Sequence, residues 1–390
     1  MTIPIPAEDP RHVPNRAVID PSAITQNTRA LTGLLEEHTA LMAVVKADGY
    51  GHGMLTAARA ALEGGATWLG VAHPASALAL SRAGLDVNIL TWLYEPHTAE
   101  TVLPEVISSG INVSVGSSAM LELVSAAARQ ADRRARVHLK IDTGMGRNGV
   151  LPEQVREIGA AMREDDFIEI AAAWTHLTDA DDPSDPSTDQ EVARFDSACE
   201  ALEEEVGPIP LQHLANSAAL LTRPDLHRDL VRPGIALYGY PPVPTDVPLR
   251  PAMTLTSRLA LVKEVPEGTT IGYGRIRTTD RRTRLGLVPI GYADGLHRVA
   301  SDRCEVLVRT ASADSRALQV GRISMDQIVI DLGPDSDACA GDEVFLFGDA
   351  EGAPTGPAAT TADDWARAAG TIPYEILTSV AGRVSREVRA

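Results

Sequence analysis

Lys46 stands where an apolar run, 41–45, meets the turn Ala47-Asp48-Gly49-Tyr50-Gly51-His52-Gly53. The run reads as a buried strand, and the turn brings three glycines, a tyrosine and a histidine. An ordinary lysine lies on a helix face or loop tip with its ammonium in water; here a strand core would end on a charge. A lysine partly desolvated in that position has a lowered pKa, and as a neutral amine it forms Schiff bases or accepts protons. The glycines let the backbone approach a ligand, and Tyr50 offers a phenolic hydrogen bond to an anion.

Further polar residues sit where apolar ones belong. Arg232 interrupts the apolar run 230–238 within Val231-Arg232-Pro233-Gly234-Ile235, the competing reading being an arginine that snorkels out to water. Ser217, Gly234 and the amide of Ile235 suit a phosphate cradle, because glycine permits close approach while hydroxyl and N–H groups donate to an oxyanion. Lys140 alternates onto one strand face with His138 and Asp142, which points it inward. A lone interior ammonium is costly, so an ion pair with Asp142 or an exit to the surface are its alternatives. His176 and His213 are weaker singly, since a satisfied core histidine is commoner than a catalytic one.

The frame that must position these residues is legible in the alternation of patterns. With 390 residues, two domains are expected. A net charge of -18 and a pI near 5.0 argue against nucleic acid or an anionic membrane as partner. The three cysteines, Cys199, Cys304 and Cys339, are widely spaced and imply a reducing compartment, with no disulfide framework and no zinc pair. The proline-bearing start, with no apolar run, is expected to be a flexible arm over 1–15 of a cytoplasmic protein, without signal peptide or membrane span.

Eight apolar runs, at 41–45, 68–72, 87–92, 111–115, 135–141, 168–174, 211–215 and 230–238, alternate with helical patterns at 54–62, 75–83, 119–129, 152–162 and 190–206. Asp20 and Pro21 are expected to start a helix running to His38. This is the grammar of an N-terminal TIM (β/α)8 barrel, preferred over a doubly wound sheet by the count of eight and the missing strand-associated GxGxxG. Beyond Leu249 short strand-like runs, the first at 253–262, surround one helix that Thr361 and Asp364 cap and Trp365 buries, so a C-terminal mostly β domain is expected. The expected limits are 16–245 for the barrel and 246–390 for the β domain, with the strand at 16–20 able to join the latter. In a barrel the chemistry sits at the C-terminal ends of strands, where Trp174-Thr175-His176, His213-Leu214-Ala215-Asn216-Ser217 and Val231-Arg232 all fall.

The turn after Lys46 resembles the pyridoxal-phosphate (PLP) lysine motif of the alanine racemase family. The resemblance continues in order through Asp142-Thr143-Gly144-Met145-Gly146-Arg147, His213-Leu214-Ala215-Asn216-Ser217 and Val231-Arg232-Pro233-Gly234-Ile235. Gly272-Tyr273-Gly274, Gly291-Tyr292-Ala293-Asp294-Gly295, Gly321-Arg322-Ile323-Ser324-Met325-Asp326-Gln327 and Ile372-Pro373-Tyr374-Glu375 complete it. It implies a PLP-dependent enzyme interconverting L- and D-alanine for peptidoglycan, working as a head-to-tail homodimer with shared active sites. By the same resemblance Lys46 would carry PLP and act as one base, and Tyr273, from the partner subunit, as the other. Tyr50, Asn216, Ser217, Gly234, Ile235 and Tyr374 would bind the cofactor, chiefly its phosphate. Arg232 would face the pyridine nitrogen with His176 beside the ring, Arg147 and Met325 would meet the substrate, and Lys140 would be carbamylated. Two bases on opposite faces of Cα suit racemisation, and lysine and tyrosine, both near pKa 10, must be tuned to serve.

The chain departs from the usual family pattern at His73-Pro74-Ala75, at Leu177-Thr178-Asp179, where an aromatic and alanine are usual, and at Asn148. Competing activities weigh less. A PLP-barrel decarboxylase would need a cysteine-bearing motif in the β domain, and a metal-dependent barrel aldolase a late His/Cys pair. A non-catalytic PLP carrier would lack the β domain and Tyr273. A racemase of broader specificity, for serine or larger amino acids, is the nearest alternative.

Overall fold

The computed structural model describes residues 14–182, 184–349 and 360–389. Most of the N-terminal arm expected over 1–15 therefore lies outside the described residues. The chain divides into two compact units, one of Ile24–Gly49 and Gly53–Arg250, the other of the chain up to Ala23, Tyr50–His52 and the chain from Pro251.

After a short strand β1 (Arg16–Ile19), the first unit is built on eight parallel strands: β2 (Ala40–Val44), β3 (Trp68–Val71), β4 (Asn88–Thr91), β5 (Asn112–Val115), β6 (Ala135–Lys140), β7 (Ile168–Trp174), β8 (Gln212–His213) and β9 (Leu230–Val231). They pair in the order β8-β7-β6-β5-β4-β3-β2-β9. The Arg232 amide donates to the Ala215 carbonyl at 2.9 Å and joins the two ends of that sheet. Strands covered on both faces read as continuous apolar runs, and β3 and β5 are buried at every position. Helices begin where local chemistry meets the free N–H groups of a first turn. Glu95 accepts from His97 and Thr98 ahead of Pro96–Ser108, and Ser117 accepts from Met120 ahead of Ser118–Gln130.

Three expectations are corrected here. The first helix stops at Thr32 rather than His38, because Gly33 follows and weakens the helix end. The helix Pro96–Ser108 was hidden by its internal Pro104, which reads as a breaker. The eighth run is strand for only two residues; Pro233 has no N–H for a ladder, and the chain turns at Gly234 into a 3-10 turn, Ile235–Tyr238.

The second unit holds a nine-stranded sheet. Its strands are β1, β10 (Met253–Arg258), β11 (Leu261–Val265), β14 (Thr283–Val288), β15 (Glu305–Arg309), β16 (Asp314–Val320), β17 (Ile328–Gly333), β18 (Glu343–Phe347) and β19 (Ser385–Val388), and its order is β11-β14-β17-β16-β15-β18-β10-β1-β19. β1 lies antiparallel to β10 and parallel to β19. The run expected at 253–262 is thus two strands, β10 and β11, placed far apart in the sheet. A small pair, β12 (Thr270–Ile271) and β13 (Arg277–Thr278), flanks the Tyr273 turn. Thr361 caps Ala362–Ala369 by a reciprocal bond with Asp364, and Trp365 is buried with its indole N–H on the Leu346 carbonyl at 2.6 Å. A second helix, Pro373–Ser379, was not expected; proline is suited to its first position.

Candidate active site

Lys46 follows β2 after one residue, Val45, and is exposed beyond the C-terminal end of that strand. The chain beyond it winds through a left-handed turn in which Ala47 (φ 52°), Asp48 (φ 54°), Gly49 (φ 61°) and Tyr50 (φ 52°) all have positive φ. This conformation costs roughly 1–2 kcal/mol for each residue with a side chain. The surroundings hold it in place. The Asp48 carboxylate accepts the Met54 amide at 2.8 Å, and Gly49 lies so close that a Cβ there would meet the Ala57 Cβ at 2.9 Å. Protein packed around the Lys46 amine lowers its pKa by desolvation, and the Arg147 guanidinium lowers it further.

Arg232 crosses the barrel interior, 6% exposed. Its Nη2 donates to the Thr175 carbonyl at 2.8 Å, the Leu214 carbonyl at 3.2 Å and His176 Nδ1 at 3.3 Å, and its Nη1 to His213 Nδ1 at 3.1 Å. A guanidinium only donates, so these bonds set the tautomers. His213 Nδ1 is an acceptor, its Nε2 carries the proton and donates to His138 Nδ1 at 2.9 Å, and His138 in turn carries its proton on Nε2. Burial and then neighbouring positive charge push the pKa of all three histidines down, His138 to about 3, so these four hydrogen-bond partners of Arg232 are all neutral. Burial brings the guanidinium itself to about 9.

The Trp174 indole organises this cluster. It stacks on His213 with an interplanar angle of 9° and lies under Lys140 Nζ at 4.7 Å and under Arg232 at 5.0 Å, where its π face attracts both cations. Its N–H reaches the Ser114 hydroxyl at 3.0 Å. Lys140 is buried, as its alternation with His138 requires. Desolvation, Arg147 and Arg232 together outweigh the attraction of Asp142 and bring its pKa to about 8. The Asp142 carboxylate also accepts the amides of Gly144 and Gly146 and shapes the loop that carries Arg147.

At the ends of β8 and β9, the Ser217 hydroxyl accepts the Gly234 amide at 2.9 Å and the Ala236 amide at 3.4 Å, leaving its own proton to donate. Asn216 spends its side-chain oxygen on capping, accepting from the Ala218 and Ala219 amides. Lys46, Lys140, Arg147, His176, Asn216, Ser217, Arg232, Gly234 and Ile235 thus all belong to the barrel unit and to segments at or just beyond the C-terminal ends of its strands. In the other unit the Tyr50 and Tyr374 rings lie 6.0 Å apart, and burial followed by that neighbour keeps the Tyr50 phenol protonated far above neutral pH. Tyr273 and Met325 occupy exposed turns, 70% and 53% accessible. Tyr273 borders a hollow of about 400 Å³ with Arg322, Ser324 and Gln327.

Residues 19–242 match the model of the alanine racemase N-terminal domain, and residues 252–388 that of the alanine racemase C-terminal domain. The chain is 46% identical to alanine racemase of Frankia casuarinae over 379 residues, 95% of each chain, and 46% identical to that of Thermobifida fusca over 378 residues, 95% of this chain and 96% of the other. This chain belongs to the alanine racemase family. The crystal structure of alanine racemase from D-cycloserine-producing Streptomyces lavendulae superposes with a TM-score of 0.89 at 44% identity, covering 97% of both chains. Alanine racemase of Bacillus anthracis with bound L-Ala-P gives 0.85 at 30% identity, covering 97% of this chain and 96% of the other.

Alanine racemases depend on PLP, and the barrel residues fit that group. A lysine of lowered pKa is present to carry it, a buried guanidinium with neutral partners suits an unprotonated ring nitrogen, and the Ser217 hydroxyl beside the Gly234 turn suits a phosphate. Sequence reasoning missed Trp174 as the centre of the cation cluster, although Trp174-Thr175-His176 stood out, treated His213 as a weak candidate, and took His138 only as a marker of the face that Lys140 shares. The signal was there in their inward alternation beside Lys140 and Arg232. Glu191 and Arg194, whose contacts are described below, carried no sequence signal, since both sit on an ordinary charged helix.

Proposed function

We propose that Lys46 and Tyr273 are the two bases with which this alanine racemase interconverts L- and D-alanine. The observation that carries the reading is the barrel cluster in which Lys46 has a depressed pKa beside Arg147 while the buried Arg232 is surrounded by neutral partners. When bound, PLP supplies the electron sink that makes the Cα proton removable. Lys46, neutral more often than an ordinary lysine, takes or returns that proton at one face of Cα. The Tyr273 phenol serves the opposite face, from an exposed turn suited to reach into a partner subunit's barrel, so the working enzyme is a homodimer. Arg232 keeps its proton and donates toward the ring nitrogen, because a guanidinium releases a proton far less readily than a carboxylic acid.

The phosphate is assigned to Tyr50, Ser217, Tyr374 and the Ile235 amide, with Gly234 allowing close approach of the backbone and Asn216 ordering the Ser217 helix by its cap. His176 accepts from Arg232 and steadies it at the ring. Arg147 binds the substrate carboxylate and Met325 narrows the pocket. Lys140, with its pKa near 8, reacts as a free amine with carbon dioxide, and the resulting carbamate sets an anion among Arg147, Arg232 and Lys46. The enzyme is assigned to the cytoplasm, in line with the free thiols of Cys199, Cys304 and Cys339.

The test mixes two inactive variants. Lys46→Ala and Tyr273→Phe are each expected to abolish inversion of alanine in D2O, and their mixture to regain part of it, because a mixed dimer holds one intact pair of bases. Lack of recovery in a mixture shown to exchange subunits, or full racemisation by Tyr273→Phe alone, would refute the assignment.

A further inference from the structure

The helix Ser187–Val206 reaches with two side chains, three residues apart, to the loops that follow β6 and β7. Glu191 is 3% exposed, and both its oxygens accept from Thr178: Oε2 from the amide at 3.0 Å and Oε1 from the hydroxyl. Arg194 Nη1 donates to the Thr143 carbonyl at 2.7 Å. Thr178 lies just beyond His176, and Thr143 just before Arg147. The two loops also meet directly, the Thr143 and Thr175 hydroxyls bonding at 2.8 Å. Gly144 passes so close that a Cβ there would stand 3.0 Å from Glu191 Oε1 and 3.3 Å from Arg194 Nη1.

A buried carboxylate is costly unless its lone pairs are met, and an apolar residue would serve the packing of the helix at less expense. Thr178 is one of the departures noted in the sequence, and it supplies the hydroxyl that an alanine would lack. Glu191 and Thr178 are therefore a matched pair whose effect falls on loop geometry.

We propose that Glu191 and Arg194 are positioning residues that clamp the Arg147 loop to the His176 loop and thereby fix where Arg147 meets the substrate carboxylate. The inference rests on the role given to Arg147 above. A displacement of the order of 1 Å in such a group is enough to change kinetics strongly.

The experiment is steady-state kinetics of the holoenzyme carrying Glu191→Gln, Arg194→Ala or Arg194→Lys, each also in an Arg147→Ala background, with propionate as a carboxylate-only inhibitor. Glu191→Gln and Arg194→Ala are expected to raise KM for L-alanine on the order of tenfold with kcat changed less than about threefold. The propionate inhibition constant should rise in step, and Arg194→Lys, which keeps a donor for the Thr143 carbonyl, should recover most of the loss. In the Arg147→Ala background the same substitutions should add nothing. An unchanged KM, or the same additional loss without Arg147, overturns the clamp. If Arg147→Ala by itself leaves KM and propionate binding unchanged, the carboxylate role of Arg147 fails and takes this inference with it. Should Glu191→Gln fail to fold, the Arg194 pair of variants decides the question alone.

Discussion

Replacing His138 by phenylalanine should remove part of the acid sensitivity of the barrel. His138 is 0% exposed, accepts from His213, and stands edge-on to the Trp68 ring at 5.5 Å. Desolvation first, then Arg136 and Arg232, bring its pKa from 6.5 to about 3. In the unfolded chain the imidazole protonates below about pH 6.5, while in the folded barrel it stays neutral to about pH 3, so between these values the unfolded chain binds the extra proton. The corresponding stability is fully present above about pH 6.5 and is lost as the pH falls toward 3. At about 1.36 kcal/mol per unit, lowering the pH to roughly 5 removes about 2 kcal/mol through this side chain alone. His176 and His213, also depressed, add loss of the same sign.

The His138→Phe variant keeps an aromatic ring against Trp68 but leaves the His213 N–H without its acceptor, so it should start about 1–3 kcal/mol less stable at neutral pH. Between about pH 7.5 and pH 5 it should then lose roughly 2 kcal/mol less than the parent chain. Urea unfolding followed by tryptophan emission reads this directly, because Trp68, Trp92 and Trp174, three of the four tryptophans, lie in the barrel unit. An equal loss in both proteins would show that His138 is not held neutral and would undo the tautomer chain built from Arg232.

Two further outcomes are expected. Gly291→Ala would bring a Cβ to 2.3 Å from the Met325 carbonyl oxygen and 2.4 Å from that of Ser324, contacts that only backbone movement relieves; racemisation kinetics should show KM for alanine raised several-fold, and an unchanged KM would remove Met325 from the substrate pocket. Lys140 should take up 13C-labelled bicarbonate as a carbamate visible by 13C NMR, more as the pH rises through about 8, and Lys140→Arg should abolish the signal; a signal that survives the substitution would assign the modification elsewhere.

The order of chemistry-bearing motifs and the β/α alternation were legible in the chain because both are local properties. An apolar run that ends on Lys46, or a guanidinium inside Val231-Arg232-Pro233, conflicts with its neighbours in sequence, and such conflicts mark sites. The eight-strand reading rested on the same periodicity; it needed adjusting at Pro104 and in Pro233-Gly234, where proline and glycine interfere, and at 211–215, which is strand only over Gln212–His213. Where 16–20 belongs could not be read locally, since strand pairing depends on partners 234 or more residues away, as between Ile19 and Met253.

Tertiary structure alone decided what surrounds the charges. Arg232 finds two imidazole nitrogens and two carbonyls, contributed from the ends of β7 and β8, and burial among these neutral acceptors lowers its pKa by desolvation. The Trp174 face beneath two cations and the grip of Glu191 and Arg194 on two separate loops likewise exist only once distant segments meet. Sequence specifies which groups the chain owns, whereas desolvation and Coulomb interaction depend on distance in space, and only the folded barrel sets those distances.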